Sequence, residues 1–207
     1  MVTKMPIERE NKYVLHAGED LFIDLMEKVK NSEIEFSVGD FKQGYLHKGS
    51  RIRSIDWRYI GGYKEEKVSG HNMATEHIFT YKHKIDGNVI EIETDISPND
   101  FDRLWDETKY RLTKTRFSSD TPISYHNEHW EIDFFHNSAG KIYFVMAECE
   151  MYHGKDKPTE MPQFVKDNLL LDCADNTVFS SKKISSPTYA TELMENLLKD
   201  RNNDKPS

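Results

Sequence analysis

Charged side chains recur along this chain in pairs two residues apart, and the members of a pair share a sign. Glu8 and Glu10, followed by Lys12, open the series within IERENKYVL. Arg51 with Arg53, Lys82 with Lys84, Glu91 with Glu93, Lys114 with Arg116, Glu131 with Asp133, and Glu148 with Glu150 continue it. Side chains in a strand alternate between faces, so each pair lies on one face. Like charges that close repel unless something of opposite sign sits between them, and a surface built for solubility mixes its signs. Clustered cations match the oxygens of a polyphosphate. Paired carboxylates match a hard divalent cation, Mg²⁺ or Mn²⁺, which prefers oxygen ligands. A polar lumen holding both is a site for phosphoryl chemistry. For any single pair a solvated outer face is the plainer reading; the segregation by sign across the whole set favours an interior.

The elements that must position these pairs are mostly strands. After the opening strand, Leu21, Phe22, Leu25, Met26 and Val29 repeat at helical spacing and predict a helix over Asp20 to Lys30. EIEFSVGDFKQGYLHKG and SRIRSIDWRYIGG read as strands with glycine-containing turns. EHIFTYKHKIDGNVIEIETDI reads as a hairpin around Asp86-Gly87, a dipeptide that supplies the positive φ of a tight turn. Ser97 and Pro98 mark an N-cap and first helical position. YRLTKTRFS, HWEIDFFHN and GKIYFVMAECEMY add three strands, His153 to Lys183 reads as irregular, and PTYATELMENLLKDR as a C-terminal helix. The expected fold is mainly β (α+β): an eight-stranded antiparallel tunnel or barrel with a charged interior and flanking helices. Ile52, Tyr81, Ile90, Ile92, Ile132, Phe134, Met146 and Cys149 are expected on the opposite, apolar faces. One domain spans residues 1–200, with a polar tail over 201–207.

Composition narrows the function classes. A net charge of −8 speaks against a general nucleic-acid binder or a polybasic membrane anchor. Aromatic residues at 12% argue against disorder even though apolar residues are only 37%. Two cysteines, Cys149 and Cys173, form no C-x-x-C pair, so neither a zinc ribbon nor a disulfide framework is indicated. MVTKMPIERE lacks the apolar core of a signal peptide, and no apolar run approaches a membrane span. A reduced cytoplasm is the expected setting, with the protein a monomer or homodimer.

In order along the chain, these segments resemble the CYTH superfamily, also called triphosphate tunnel metalloenzymes. IERENKYVL carries the Glu-x-Glu-x-Lys signature, FKQGYLHKGSRIRS the Arg-x-Arg strand, and FTYKHK the lysine strand. IEIETDISPNDFDRLW, LTKTRF, HWEIDFF and FVMAECEM follow in family order, from Ile7 to about Met151 in all. The resemblance implies a tunnel that hydrolyses a triphosphate or, in one branch, cyclises ATP as a class IV adenylyl cyclase. It implies Mg²⁺ or Mn²⁺ held by Glu8, Glu10, Glu148 and Glu150. Lys12, Arg51, Arg53, Lys82, Lys114 and Arg116 would grip the phosphates. Glu93 and Asp133 would lie in the lumen as further metal partners. Glu8, Glu10, Lys12, Glu148 and Glu150 form the expected catalytic set. A third class is a non-catalytic nucleotide or polyphosphate binder, which gains little from four acidic residues.

The sequence departs from the family in two places. The link over 56–76 is long, as for a lid or outer flap, and the segment holding Lys182 and Lys183 echoes the family only faintly, which leaves both lysines between the tunnel mouth and solvent, with solvent the plainer reading. Plainer readings suffice elsewhere. His126 and His129 lack a third ligand, and Gly61-Gly62 reads as a turn because no P-loop lysine follows. Trp57, Trp105 and Trp130 read as packing residues, and Cys149 as a small hydrophobe turned toward the helices.

Overall fold

The computed structural model describes residues 10–16, 18–47, 49–59, 75–85, 88–119, 128–150, 157–173 and 179–203. Its elements in chain order are β1 (Glu10–Leu15), α1 (Glu19–Lys30), β2 (Phe36–Tyr45), β3 (Ser50–Tyr59), β4 (Glu76–Ile85), β5 (Asn88–Asp95), α2 (Pro98–Asp106), β6 (Tyr110–Ser119), β7 (His129–His136), β8 (Ile142–Glu150), α3 (Gln163–Asn168), β9 (Leu169–Asp172), α4 (Ser181–Ile184) and α5 (Pro187–Asn203). The strands form one sheet in the order β5-β4-β3-β2-β6-β7-β8-β1-β9, antiparallel throughout.

The fold is mainly antiparallel β with flanking helices, and all eight expected strands form. Two features differ from the expectation. A ninth strand, β9, pairs with the outer edge of β1; its four residues are too few to show a period within a stretch read as irregular. Among the described residues the sheet does not close into a barrel, since β5 and β9 remain its edges. The turn at Asp86-Gly87 lies outside the described residues, but its strands pair up to Ile85 opposite Asn88. Helix α2 starts as its sequence indicates: the Asp100 amide donates to Ser97 Oγ at 3.2 Å, with Pro98 in the first turn. Helix α5 runs to Asn203, three residues into the expected tail.

The two faces of the sheet carry separate cores. On the outer face Tyr13, Leu15, Phe117, Trp130, Ile132, Phe134, Val145, Ala147 and Cys149 pack under Leu21, Leu25 and Met26 of α1 and Val165 of α3. Phe22 sets its ring edge-on against Phe117 and Phe134, at 5.7 and 5.1 Å between centroids. On the inner face Val14, Leu112, Phe135, Phe144 and Met146 meet Phe179, Ile184, Ala190 and Met194 from the α4–α5 region. Met146 therefore shares a face with Glu148, contrary to the sequence expectation. The alternation continues along β8, but the inner residues change from Phe144 and Met146 to Glu148 and Glu150. The inner face is apolar at one end, where the C-terminal helices fill it, and charged beyond. That division is what makes a floored cavity from a curled sheet.

Candidate functional site

Above the apolar filling lies a cavity of about 440 Å³. Its cationic lining is Lys12, Arg51, Arg53, Lys82, Lys114, Arg116 and Lys182; its acidic lining is Glu10, Glu91, Glu93, Glu131, Glu148 and Glu150. These residues come from β1, β3, β4, β5, β6, β7, β8 and α4. Strand periodicity delivers them: each contributing strand turns alternate residues inward, and neighbouring strands place Lys12 opposite Glu148, Glu10 opposite Glu150 and Lys82 opposite Glu91.

At the base, Arg116 and Lys114 converge on Asp133. The Arg116 guanidinium donates from Nε and Nη2 to the two Asp133 oxygens, both at 2.7 Å. Lys114 Nζ donates to Asp133 Oδ2 at 2.5 Å. Asp133 is completely buried and Lys114 nearly so, at 3% exposure. Burial alone would raise the Asp133 pKa; Arg116 and Lys114 instead hold it well below the usual carboxylate range. Lys114 moves the other way for a lysine, down to about 8, because burial and the Arg116 charge outweigh the attraction of Asp133 and Glu148. The two partners shift unequally because Asp133 is shared and Arg116 takes both of its oxygens. Lys114 Nζ also lies 5.3 Å from the Phe41 ring centroid and 5.8 Å from that of Phe135, a desolvated cation–π setting.

On the β3–β5 side, Glu91 bridges Arg51 Nη2 at 3.0 Å and Lys82 Nζ at 2.7 Å. Glu93 contacts Arg53, lies 3.4 Å from Arg51 Nη2, and accepts from Thr80 Oγ1 at 2.8 Å. Burial, with Arg51 beside it, brings Arg53 down to about 10. The Nε–H groups of Arg51 and Arg53 are buried and have no hydrogen-bond partner among the described residues. Unpaired buried donors are costly, and two in one charged cavity favour an acceptor other than the described side chains.

On the β1–β8 side, Lys12 Nζ lies 2.8 Å from Glu10 and contacts Glu148. Burial would lower the Lys12 pKa, but Glu148 and Glu10 hold it well above the ordinary lysine value. Glu10, Glu148 and Glu150 present oxygen donors from two adjacent strands, a set whose chemistry fits Mg²⁺ or Mn²⁺. As the side chains stand, no three ligating groups converge among the described residues; the Lys12 ammonium occupies the space between two of the carboxylates.

Every residue predicted to bind metal or phosphate that lies within the described set is in or against this cavity. Glu8 lies outside the described residues, as do His126, Gly61-Gly62 and most of the 56–76 link. Asp133 does not line the cavity; with both oxygens taken by cations it anchors Lys114 and Arg116 rather than offering itself to a metal. Glu93 is likewise turned to arginines. Lys182 meets both of its readings: it is exposed, and it lines the cavity, with its ammonium 5.2 Å from the Tyr110 ring centroid. Glu91 and Glu131 were legible as pair members but received no role. Gln43, Tyr45, Ser180 and Ser181 were missed because none is charged; the period of two on β2 was the available signal for the first pair. Cys149 is buried in the outer core, and burial pushes its thiol up to about 12, the behaviour of a packing residue. Trp130 is fully buried and stacks on Tyr13 at 5.6 Å, whereas Trp105 stacks on Phe101 and carries Arg111 over its ring.

The site thus stands on an antiparallel sheet with sign-paired charges on its inner face, α1 and α3 on its outer face, and α4 and α5 closing one end of the inner face. No family model matches the chain, and no curated protein matches it. Among solved structures it is similar to the PH1012 protein of Pyrococcus horikoshii OT3, at 14% identity over 72% of this chain and 81% of that one, with a TM-score of 0.41. It is similar to a putative adenylate cyclase from Vibrio parahaemolyticus at 13% identity, covering 74% and 80%, TM-score 0.38. A third is the putative adenylyl cyclase HpAC1 from Hippeastrum, described as having a dominant triphosphatase activity, at 13% identity, 95% and 88% coverage and TM-score 0.38. Likenesses at these levels carry no argument about activity, which rests on the cavity.

Proposed function

We propose that the protein is a divalent-metal-dependent hydrolase of triphosphates, cleaving a phosphoanhydride bond in inorganic tripolyphosphate or in a nucleoside or other organic triphosphate. The observation that carries this reading is the gathering of seven cationic side chains of the described residues in one cavity, two of them, Arg51 and Arg53, with buried Nε–H donors that no described residue partners. Guanidinium forks suit phosphate oxygens geometrically as well as electrically. Seven cations against six carboxylates leave the lining close to neutral, so a free triphosphate would find little net attraction. Its complex with Mg²⁺ or Mn²⁺ is the better match. The metal would be held by Glu10, Glu148 and Glu150, together with Glu8, and would supply charge neutralisation at the phosphate and a polarised water.

The chain's own residues do the rest. Arg51, Arg53, Lys82, Lys114 and Arg116 bind and align the phosphates, so that charge developing on the transferred phosphoryl group meets fixed donors. Asp133 keeps Lys114 and Arg116 aimed upward. The apolar filling of Phe135, Phe144, Met146, Phe179 and Ile184 closes one end and excludes water beneath the phosphates. The test is purified protein with Mg²⁺ or Mn²⁺ against tripolyphosphate, ATP, thiamine triphosphate and triphosphorylated RNA, scoring free phosphate and cyclic nucleotide separately. Phosphate release, abolished by EDTA and restored by added metal, is the expected result. Cyclic AMP from ATP as the main product would replace hydrolase with cyclase. Tight binding without any product would make the protein a phosphate receptor.

A further inference from the structure

We infer that Lys12 is a placeholder for the divalent cation: in the ligand-free protein its ammonium occupies the carboxylates of Glu10 and Glu148, and it must leave them for the substrate's phosphate oxygens when the cation binds. This rests on the triphosphate-hydrolase reading and adds to it a partner exchange within the same site.

The strand register sets up the exchange. Lys12 stands directly opposite Glu148, and Glu10 opposite Glu150, on adjoining inward positions of β1 and β8. The Lys12 ammonium lies 2.8 Å from Glu10 and in contact with Glu148, so one positive charge fills the gap between two hard oxygen donors. The two cations at the base of the cavity are placed differently. Arg116 and Lys114 are tied to Asp133, which lies behind the cavity lining and is completely buried. Arg116 also reaches Glu148, at 3.4 Å, but its two bonds to Asp133 hold it from behind the lining. The Lys12 partners line the cavity themselves, and Lys12 keeps 23% of its side-chain surface exposed, so its ammonium has somewhere to go. A lysine suits the part: it is a compact point charge on a flexible stem, without the fixed fork that would commit an arginine to one geometry.

The exchange has a thermodynamic consequence. The cation alone must displace Lys12 and strand its charge, whereas the cation with a triphosphate gives Lys12 a new acceptor. Metal and triphosphate should therefore strengthen each other's binding reciprocally.

The test is Mn²⁺ binding by calorimetry to wild-type protein, Lys12→Met and Lys82→Met, each with and without a non-hydrolysable imido analogue of tripolyphosphate. Lys82→Met removes a cavity cation that contacts Glu91 and separates displacement from a general loss of positive charge. Without the analogue, Lys12→Met should bind Mn²⁺ about tenfold more tightly than wild type, the scale of one partly buried ion pair, and Lys82→Met should gain clearly less. The analogue should tighten Mn²⁺ binding to wild type and do so less for Lys12→Met. Lys12→Gln repeats the measurement if the methionine variant does not fold. Equal or weaker Mn²⁺ binding by Lys12→Met, or an equal gain in Lys82→Met, overturns the placeholder and leaves the hydrolase reading intact. Absence of Mn²⁺ binding in every protein, even with the analogue, overturns both.

Discussion

Replacing Asp133 with asparagine tests the base of the site most severely. The side chain is completely buried and receives three hydrogen bonds from two cations, at 2.5, 2.7 and 2.7 Å. Asparagine keeps the volume and one acceptor oxygen but turns an amide toward a guanidinium or an ammonium. Lys114 and Arg116 are then left with Glu148 and Glu131 as charged neighbours, both of which also face the cavity. Removing one partner from a buried charge network costs about 3–5 kcal/mol. For a chain of this size that corresponds to a Tm lower by roughly 10 °C. Thermal and urea unfolding followed by circular dichroism read both quantities. Asp133 has its folded pKa depressed, so its stabilisation is present above the unfolded pKa and is lost as pH falls through the folded one. The gap between wild type and variant should therefore stay constant from pH 7 to pH 5 and narrow only in strong acid. The double variant with Lys114→Met, which returns an apolar group to the space beside Phe41 and Phe135, should recover a substantial part of the loss. An Asp133→Asn protein within about 1 kcal/mol of wild type would refute the anchoring argument.

Further outcomes are expected at three residues. Because burial and Arg116 bring Lys114 down to about 8, triphosphate binding should weaken as pH rises from 7 to 9.5, and the Lys114→Met protein, weaker throughout, should lack that step in an affinity-versus-pH titration. The same depressed value makes folding stability rise with pH between the folded and unfolded lysine pKa values, a slope that Lys114→Met should also remove. Lys182→Ala should weaken triphosphate binding several-fold while changing stability by no more than about 0.5 kcal/mol, since the side chain is exposed at the cavity wall. Phe179→Ala should cost about 3–5 kcal/mol in urea unfolding, because the ring is fully buried among Phe144, Ile184 and their neighbours and stacks on Phe144.

Much of this site was legible because a strand leaves a period-two trace in its sequence. Arg51 and Arg53, Lys114 and Arg116, and Glu148 and Glu150 each declare a shared face by spacing alone, and the structure puts each pair on the cavity wall. Helix α1 was legible for the analogous reason: Leu21, Leu25 and Met26 sit at helical spacing and are buried. The failures come from what spacing does not carry. Met146 is in phase with Glu148, yet it meets Phe179 and Ile184 from far along the chain, a tertiary contact without local trace. Lys182 stays exposed yet reaches the cavity because α4 and α5 fold back over the inner face, and no pattern within four residues could decide between the tunnel mouth and open solvent. Asp133 and Glu131 share a face, but only the register with Arg116 and with Glu148 shows that one anchors cations and the other lines the cavity.

The most direct measurement is equilibrium binding of the imido analogue of tripolyphosphate, with Mn²⁺ present, to wild type and to Arg53→Met. Arg53 brings a buried Nε–H that has no partner among the described residues and a guanidinium already in contact with Glu93. If phosphate oxygens are what the cavity holds, losing this charged donor should weaken binding about 10–100-fold. Wild-type affinity in the variant, or no binding by either protein, would contradict the account.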